Sequence, residues 1–141
     1  MNKLGLAISI AATVFENKTD KSGKPYILHC LRVMNAVDQK DEELMQIAIL
    51  HDVVEDTHIT LNDLKEQGFS DRVLVGVNML THKKGVDYDA YIKMISNFPD
   101  AVKVKIADLK DNSDITRLKG LSKKDFERME KYHRSFIYLS S

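Results

Sequence analysis

The sequence is poor in the residues that staple, break or anchor a chain. It has one cysteine, two prolines, six glycines and no tryptophan among 141 residues. A lone cysteine, Cys30, excludes an intramolecular disulfide and fits a reducing compartment, so a cytoplasmic location is expected. Cys30 itself reads as a small buried apolar side chain, not a reactive thiol. No apolar run is long enough to span a bilayer. The longest near-apolar stretch, Leu4–Phe15, follows Lys3 and gives way to Glu16-Asn17-Lys18 instead of a small-residue cleavage site. It is therefore expected to be a largely buried first helix. Net charge is missing too, since 21 Lys and Arg balance 21 Asp and Glu. That balance excludes a uniformly basic surface of the kind that coats nucleic acid. Neither a nucleic acid nor a membrane is an expected partner.

What is present is a folded, soluble composition, 43% hydrophobic and 30% charged. The length suits one domain, residues 1–141, with a core that needs no staples. The neutral total is a cancellation. Residues 1–37 carry net +3, residues 38–71 net −8, residues 72–100 net +1 and residues 101–141 net +4. Basic ends flank an acidic centre, an arrangement that suits a central cation and an anionic ligand, or simply a solvated acidic face.

Helical spacing dominates. Pro25 can open a second helix with Leu28, Leu31, Val33, Met34 and Val37 on its apolar side. Asp41-Glu42-Glu43 places acids at the positive end of a third, running to His51. Thr60 and Asp63 form a capping-box pattern, and Gly68 closes that helix. Ser70 can cap Asp71–Leu80, and Asp87–Asn97, Pro99–Leu109 and Ser122–Leu139 follow. Val102–Ile106 alternates like a strand, but Pro99-Asp100 is a helix start and Val102, Ile106 and Leu109 share a helical face. The expected fold is all-α, a bundle of about seven or eight helices.

The chemistry concentrates in Leu50-His51-Asp52-Val53-Val54-Glu55-Asp56-Thr57. One imidazole and three carboxylates lie beside two valines, with His51 and Glu55, and Asp52 and Asp56, one helical turn apart. Ionisable groups next to buried valines are costly unless compensated, and a divalent cation compensates them. Imidazole and carboxylate donors suit Mn²⁺, Fe²⁺ or Zn²⁺, while the lack of thiolates excludes a cysteine-rich structural zinc site.

The His51-Asp52 pair, with His29 upstream and Asp108 downstream, resembles the signature of the HD-domain metal-dependent phosphohydrolases. The flanking words are more specific. Gly23-x-Pro25-Tyr26-Ile27-x-His29, His51-Asp52-x-x-Glu55-Asp56-Thr57 and Lys105-x-Ala107-Asp108-Leu109-x-x-Asn112 resemble the hydrolase domain of RelA/SpoT-type alarmone enzymes. Leu80–Gly85 with Tyr88 and Tyr91 is also similar. The resemblance runs from about residue 5 to residue 139. It implies a single HD-domain helical bundle, a small stand-alone alarmone hydrolase that removes the 3′-pyrophosphate of guanosine tetra- or pentaphosphate.

By the same resemblance, His29, His51, Asp52 and Asp108 would hold one metal ion, Mn²⁺ in this family. Glu55 and Asp56 would act on the attacking water and the scissile phosphate. Lys21, Ser22 and Asn112 would contact the nucleotide. Lys83, Tyr88, Lys105 and Arg117 are candidates for phosphate contact or for bracing helices. Two positions depart from the family pattern. Asp20 stands where family members carry an arginine that packs on the guanine, and a carboxylate cannot stack as a guanidinium does. Cys30 stands where a proline usually follows the histidine. The Asp20 departure keeps a second expectation open: the same hydrolysis on another nucleotide, such as an adenosine alarmone or the 2′-phosphate of NADPH. A nucleotide-binding module without turnover is the third.

Overall fold

The computed structural model describes residues 2–141. Nine α-helices follow one another among them: α1 Lys3–Val14, α2 Ile27–Ala36, α3 Glu42–Leu50, α4 Val53–Asp56, α5 Leu61–Glu66, α6 Asp71–Leu80, α7 Tyr88–Ile95, α8 Pro99–Asn112 and α9 Lys123–Ser140. A 3₁₀ turn, Ile115–Arg117, joins the last two. All eight helices expected from sequence form, and the fold is all-α. The added element is the single turn α4. Val102–Ile106 is helical, inside α8.

The caps account for the starts. Asp41, Thr60, Ser70, Asp87 and Ser122 each accept a backbone N–H of the first turn. Each such cap contributes about 1 kcal/mol. Thr60–Asp63 and Ser122–Asp125 are reciprocal capping boxes, and Pro99 opens α8 where its missing N–H costs nothing.

Helix α3 is the centre of the molecule. Every residue from Leu44 to Leu50 is buried, all but Gln46 of them apolar, as suits a helix enclosed on all sides. It packs against α1, α2, α6 and α8. Its contact with α6 depends on Gly76, where a Cβ would meet Ile47 Cδ1 at 2.6 Å. The first helix departs from expectation. It buries only Ala7 and Ala11, with Leu4, Leu6, Ile8, Ile10 and Val14 half-covered, because α1 lies on the outside of α3 and offers it one face.

One ion-pair cluster ties together the ends of the helices that carry the site. Arg72 of α6 donates to Asp41 Oδ1 and Oδ2 at 2.9 and 2.7 Å and to Asp100 Oδ2 and Oδ1 at 2.8 and 3.0 Å. The starts of α3, α6 and α8 are thereby joined at one guanidinium.

Candidate metal centre and adjoining cleft

The helix through the His-Asp pair is not continuous. Helix α3 ends at Leu50, His51 closes it with an N–H to Ala48 O at 3.4 Å, and Asp52 caps the short α4. That break replaces the expected continuous helical face for His51 and Glu55. It also lets two adjacent side chains converge: His51 Nε2 lies 3.0 Å from Asp52 Oδ2.

Asp108 of α8 and His29 of α2 complete the group. Asp108 Oδ1 lies 3.2 Å from His51 Nε2 and 3.0 Å from His29 Nε2, and Asp52 Oδ2 lies 3.8 Å from His29 Nε2. One donor atom from each of the four side chains falls within 4.8 Å of the others. Both histidines are 2% exposed and Asp108 is 5% exposed.

The hydrogen bonds fix which way the rings face. His51 Nδ1 lies 2.6 Å from Ala48 O, and His29 Nδ1 lies 2.6 Å from Asp111 Oδ2. Both partners only accept, so Nδ1 carries the proton and each Nε2 lone pair points at the carboxylates. Acceptors facing acceptors in a buried site need a cation or protons between them. Burial alone would lower both imidazole pKa values, yet the carboxylates outweigh it and raise them, His51 most. Burial would likewise raise Asp52 and Asp108, but His51 holds Asp52 low, and Lys105 with the two histidines holds Asp108 well below the usual range. A divalent cation fits this two-nitrogen, two-oxygen set and would displace the shared protons.

Neighbours brace the carboxylates. The Tyr26 hydroxyl donates to Asp52 Oδ2. Lys105 Nζ donates to Asp108 Oδ2 at 2.9 Å, and Asn112 Nδ2 to Asp108 Oδ1 at 3.1 Å. Lys105 thus turns inward and braces. Tyr88 lies beside it, under the Lys105 ammonium at 5.8 Å.

Glu55 and Asp56 form a second, more open group with Asp52, again within 4.8 Å. Glu55 Oε1 accepts the His82 N–H at 2.6 Å, and Asp56 Oδ2 lies 3.4 Å from Lys18 Nζ. Burial raises both pKa values, and the Asp52 charge adds to it.

Beside the four groups opens a cleft of about 390 Å³, lined by Lys18, Asp20, Lys21, Ser22, Tyr26, His29, Asn112, Arg117, Arg128 and Tyr132. Its volume falls within the range of small-molecule sites. Lys21, Ser22, Asn112 and Arg117 are thus brought together on one cleft. Lys83 is not among the lining residues; its Nζ donates to Asn78 Oδ1 at 2.8 Å. Asp20 is the organiser of its loop. Its Oδ1 accepts Ser22 N, Ser22 Oγ and Lys24 N at 2.9, 2.6 and 3.0 Å, while Arg117 donates to Oδ2 at 3.1 Å. The turn it braces needs Gly23 at φ +83°.

Sequence reasoning gave no role to Tyr26, Arg32 or Asp111. The last two had a signal in their spacing, with Arg32 one turn after His29 and Asp111 one turn after Asp108.

The HD domain family model matches residues 7–90. The bifunctional (p)ppGpp synthase/hydrolase SpoT of Escherichia coli K12 is 32% identical over 138 residues, 91% of this chain and 20% of that protein. The guanosine-3′,5′-bis(diphosphate) 3′-pyrophosphohydrolase of Aquifex aeolicus is 33% identical over 102 residues, 65% of this chain and 14% of that one. The chain thus spans about a fifth or less of the length of these relatives. A solved structure of a metazoan ortholog of SpoT, which hydrolyses ppGpp, superposes with a TM-score of 0.79 at 22% identity, covering 99% of this chain and 85% of the other. That likeness concerns the fold.

Proposed function

The chain belongs to the HD-domain family, and on that premise we propose that it is a metal-dependent phosphohydrolase of guanosine tetra- or pentaphosphate. The products are GDP or GTP and pyrophosphate. The observation that carries this reading is the meeting of His29, His51, Asp52 and Asp108 beside a carboxylate pair and a cleft rich in cations.

In this reading His29, His51, Asp52 and Asp108 hold one divalent ion, Mn²⁺ by family resemblance. When bound, such an ion acidifies water and neutralises phosphate charge. Glu55 is the proton acceptor for the attacking water: its raised pKa moves it toward the working pH, and a positioned base contributes about 10²–10⁴-fold. Asp56, steadied by Lys18, acts with Glu55 on the attacking water. Lys21 and Arg117 stabilise charge on the phosphoryl oxygens. Ser22 and Asn112 contact the nucleotide. Tyr26, Lys105 and Asn112 keep the carboxylates of Asp52 and Asp108 turned inward.

One observation favours a second reading. Asp20 is committed to its own loop and to Arg117, so no arginine from position 20 stacks on a guanine. The same hydrolysis on another nucleotide, an adenosine alarmone or NADPH, follows if base recognition has changed. The test is incubation with Mn²⁺ and a panel of these nucleotides, with and without chelator. Equimolar GDP and pyrophosphate from guanosine tetraphosphate, lost on chelation, is the expected result. Turnover of a different nucleotide alone supports the second reading. No turnover of any nucleotide by metal-loaded protein overturns both and leaves a binding module.

A further inference from the structure

The two histidines are held by different kinds of partner. The His51 Nδ1–H meets a neutral main-chain carbonyl of its own helix, Ala48 O at 2.6 Å. The His29 Nδ1–H meets a carboxylate from another helix, Asp111 Oδ2, also at 2.6 Å. That carboxylate is 12% exposed and is gripped from its far side. Arg32 donates Nε to Oδ1 at 2.7 Å and Nη2 to Oδ2 at 3.2 Å. Arg117 donates Nη2 to the Asp111 carbonyl at 2.6 Å and to Oδ2 at 3.4 Å. Two guanidiniums and the ring N–H face this one carboxylate, an environment that favours its ionised form.

The geometry follows from helical spacing. His29 and Arg32 lie one turn apart on α2, and Asp108 and Asp111 one turn apart on α8. The two helices therefore meet through consecutive rungs, His29 with Asp108 and then His29 and Arg32 with Asp111. Only the first rung faces the space where a cation fits.

We infer that Asp111, clamped by Arg32 and Arg117, is a positioning residue that orients His29 and sets the affinity of the site for a divalent cation. The inference rests on the metal centre of the preceding reading. An ionised acceptor at Nδ1 fixes the ring's tautomer and rotation and makes Nε2 a stronger donor, and losing such a partner typically weakens metal binding about 10–100-fold. The arginines keep the carboxylate charged and its oxygen aimed at the ring. Because Arg117 also lines the cleft, the clamp joins the metal centre to the substrate wall through one guanidinium.

The experiment is a Mn²⁺ titration by calorimetry, without nucleotide, of wild type, Asp111→Asn and Asp111→Ala, with thermal melts of each. Asp111→Asn keeps an acceptor oxygen of the same shape and removes the charge, so it should bind Mn²⁺ about tenfold more weakly. Asp111→Ala should lose about 10–100-fold. Imidazole nitrogen NMR of the metal-free wild type should show His29 protonated at Nδ1, with that preference weakened in both variants. If Asp111→Ala does not fold, Asp111→Asn decides alone. Wild-type affinity in Asp111→Asn, with only its melting temperature lowered, overturns the inference. A wild-type chain that binds no Mn²⁺ overturns the metal centre itself, and this inference with it.

Discussion

The floor of the site draws His29, His51, Asp52 and Asp108 from the ends and interiors of packed helices. Its cleft wall draws Lys21 and Arg117 from a turn and a 3₁₀ segment. Floor side chains are 2–16% exposed, against 25% for Arg117 and 41% for the neighbouring Lys18. The contrast matches the physics each part needs. Coordination bonds tolerate displacements of about 0.2 Å, so their donors must be locked by packing. Charge attraction to a phosphate falls off slowly with distance and tolerates looser placement. At Asp20 the wall departs from the resemblance that the four floor residues follow, and its carboxylate is paired with Arg117.

Substitutions can break that comparison. The largest effect is expected for Asp52→Ala, which removes a proposed metal donor and the acceptor of the Tyr26 hydroxyl. Losing the several kcal/mol a metal contributes lowers turnover about 10³-fold or more, with Mn²⁺ binding lost in the same calorimetric titration. Next is Glu55→Gln, expected to lower kcat by about 10²–10⁴-fold while Mn²⁺ affinity stays within a few-fold. Equal losses of affinity in both variants would erase the distinction between donor and base. Lys21→Met tests the wall: a charge-assisted hydrogen bond is worth about 1.5–3 kcal/mol, so KM should rise at least tenfold with a smaller change in kcat. A drop in kcat as large as that of Asp52→Ala would show that wall and floor are one unit.

The smallest effect concerns stability. Burial and the Asp52 charge raise the Asp56 pKa above its ordinary value of 3.8. The folded state therefore holds that proton more tightly than the unfolded chain does. Ionised Asp56 thus destabilises the fold once pH rises above the unfolded value, and the cost vanishes as pH falls below it. Asp56→Asn should melt about 1–2 °C higher than wild type at pH 7 and equal to it near pH 3, while losing activity. A lower melting temperature at pH 7 would mean that the exposed Lys18–Asp56 pair outweighs the burial cost.

Much of this was legible in the chain. Apolar spacing and caps located every long helix, because α3, α6 and α8 obey local rules that tertiary contacts only reinforce. Of the four floor residues, His51 and Asp52 stood out in their own acidic word, whereas His29 and Asp108 were legible only through the family resemblance of the words around them. The break at His51-Asp52 did not, since both residues take helical backbone angles and the interruption comes from a tightened last turn. Lys105 and Lys83 show a second limit. Both are lysines with the same candidate role in the sequence, yet one turns inward to Asp108 and the other lies on Asn78 of the preceding helix, and only three-dimensional packing separates them. Asp111 went unread because it falls at an unspecified position of the word Asp108-Leu109-x-x-Asn112, and its partners Arg32 and His29 sit 79 and 82 residues away.

Those long separations order the assembly of the site in time. His29 and Asp108 are 79 residues apart, and His51 and Asp108 are 57 apart. At a synthesis rate of about 5–20 residues per second, Asp108 leaves the ribosome about 4–16 seconds after His29. Until α8 docks, the nascent chain offers three of the four donor groups and lacks the lysine and asparagine that brace the last. In the proposed reading, tight capture of a metal ion would therefore wait for synthesis of the second half of the chain, and the centre would form late, on a scaffold whose central helix has already emerged.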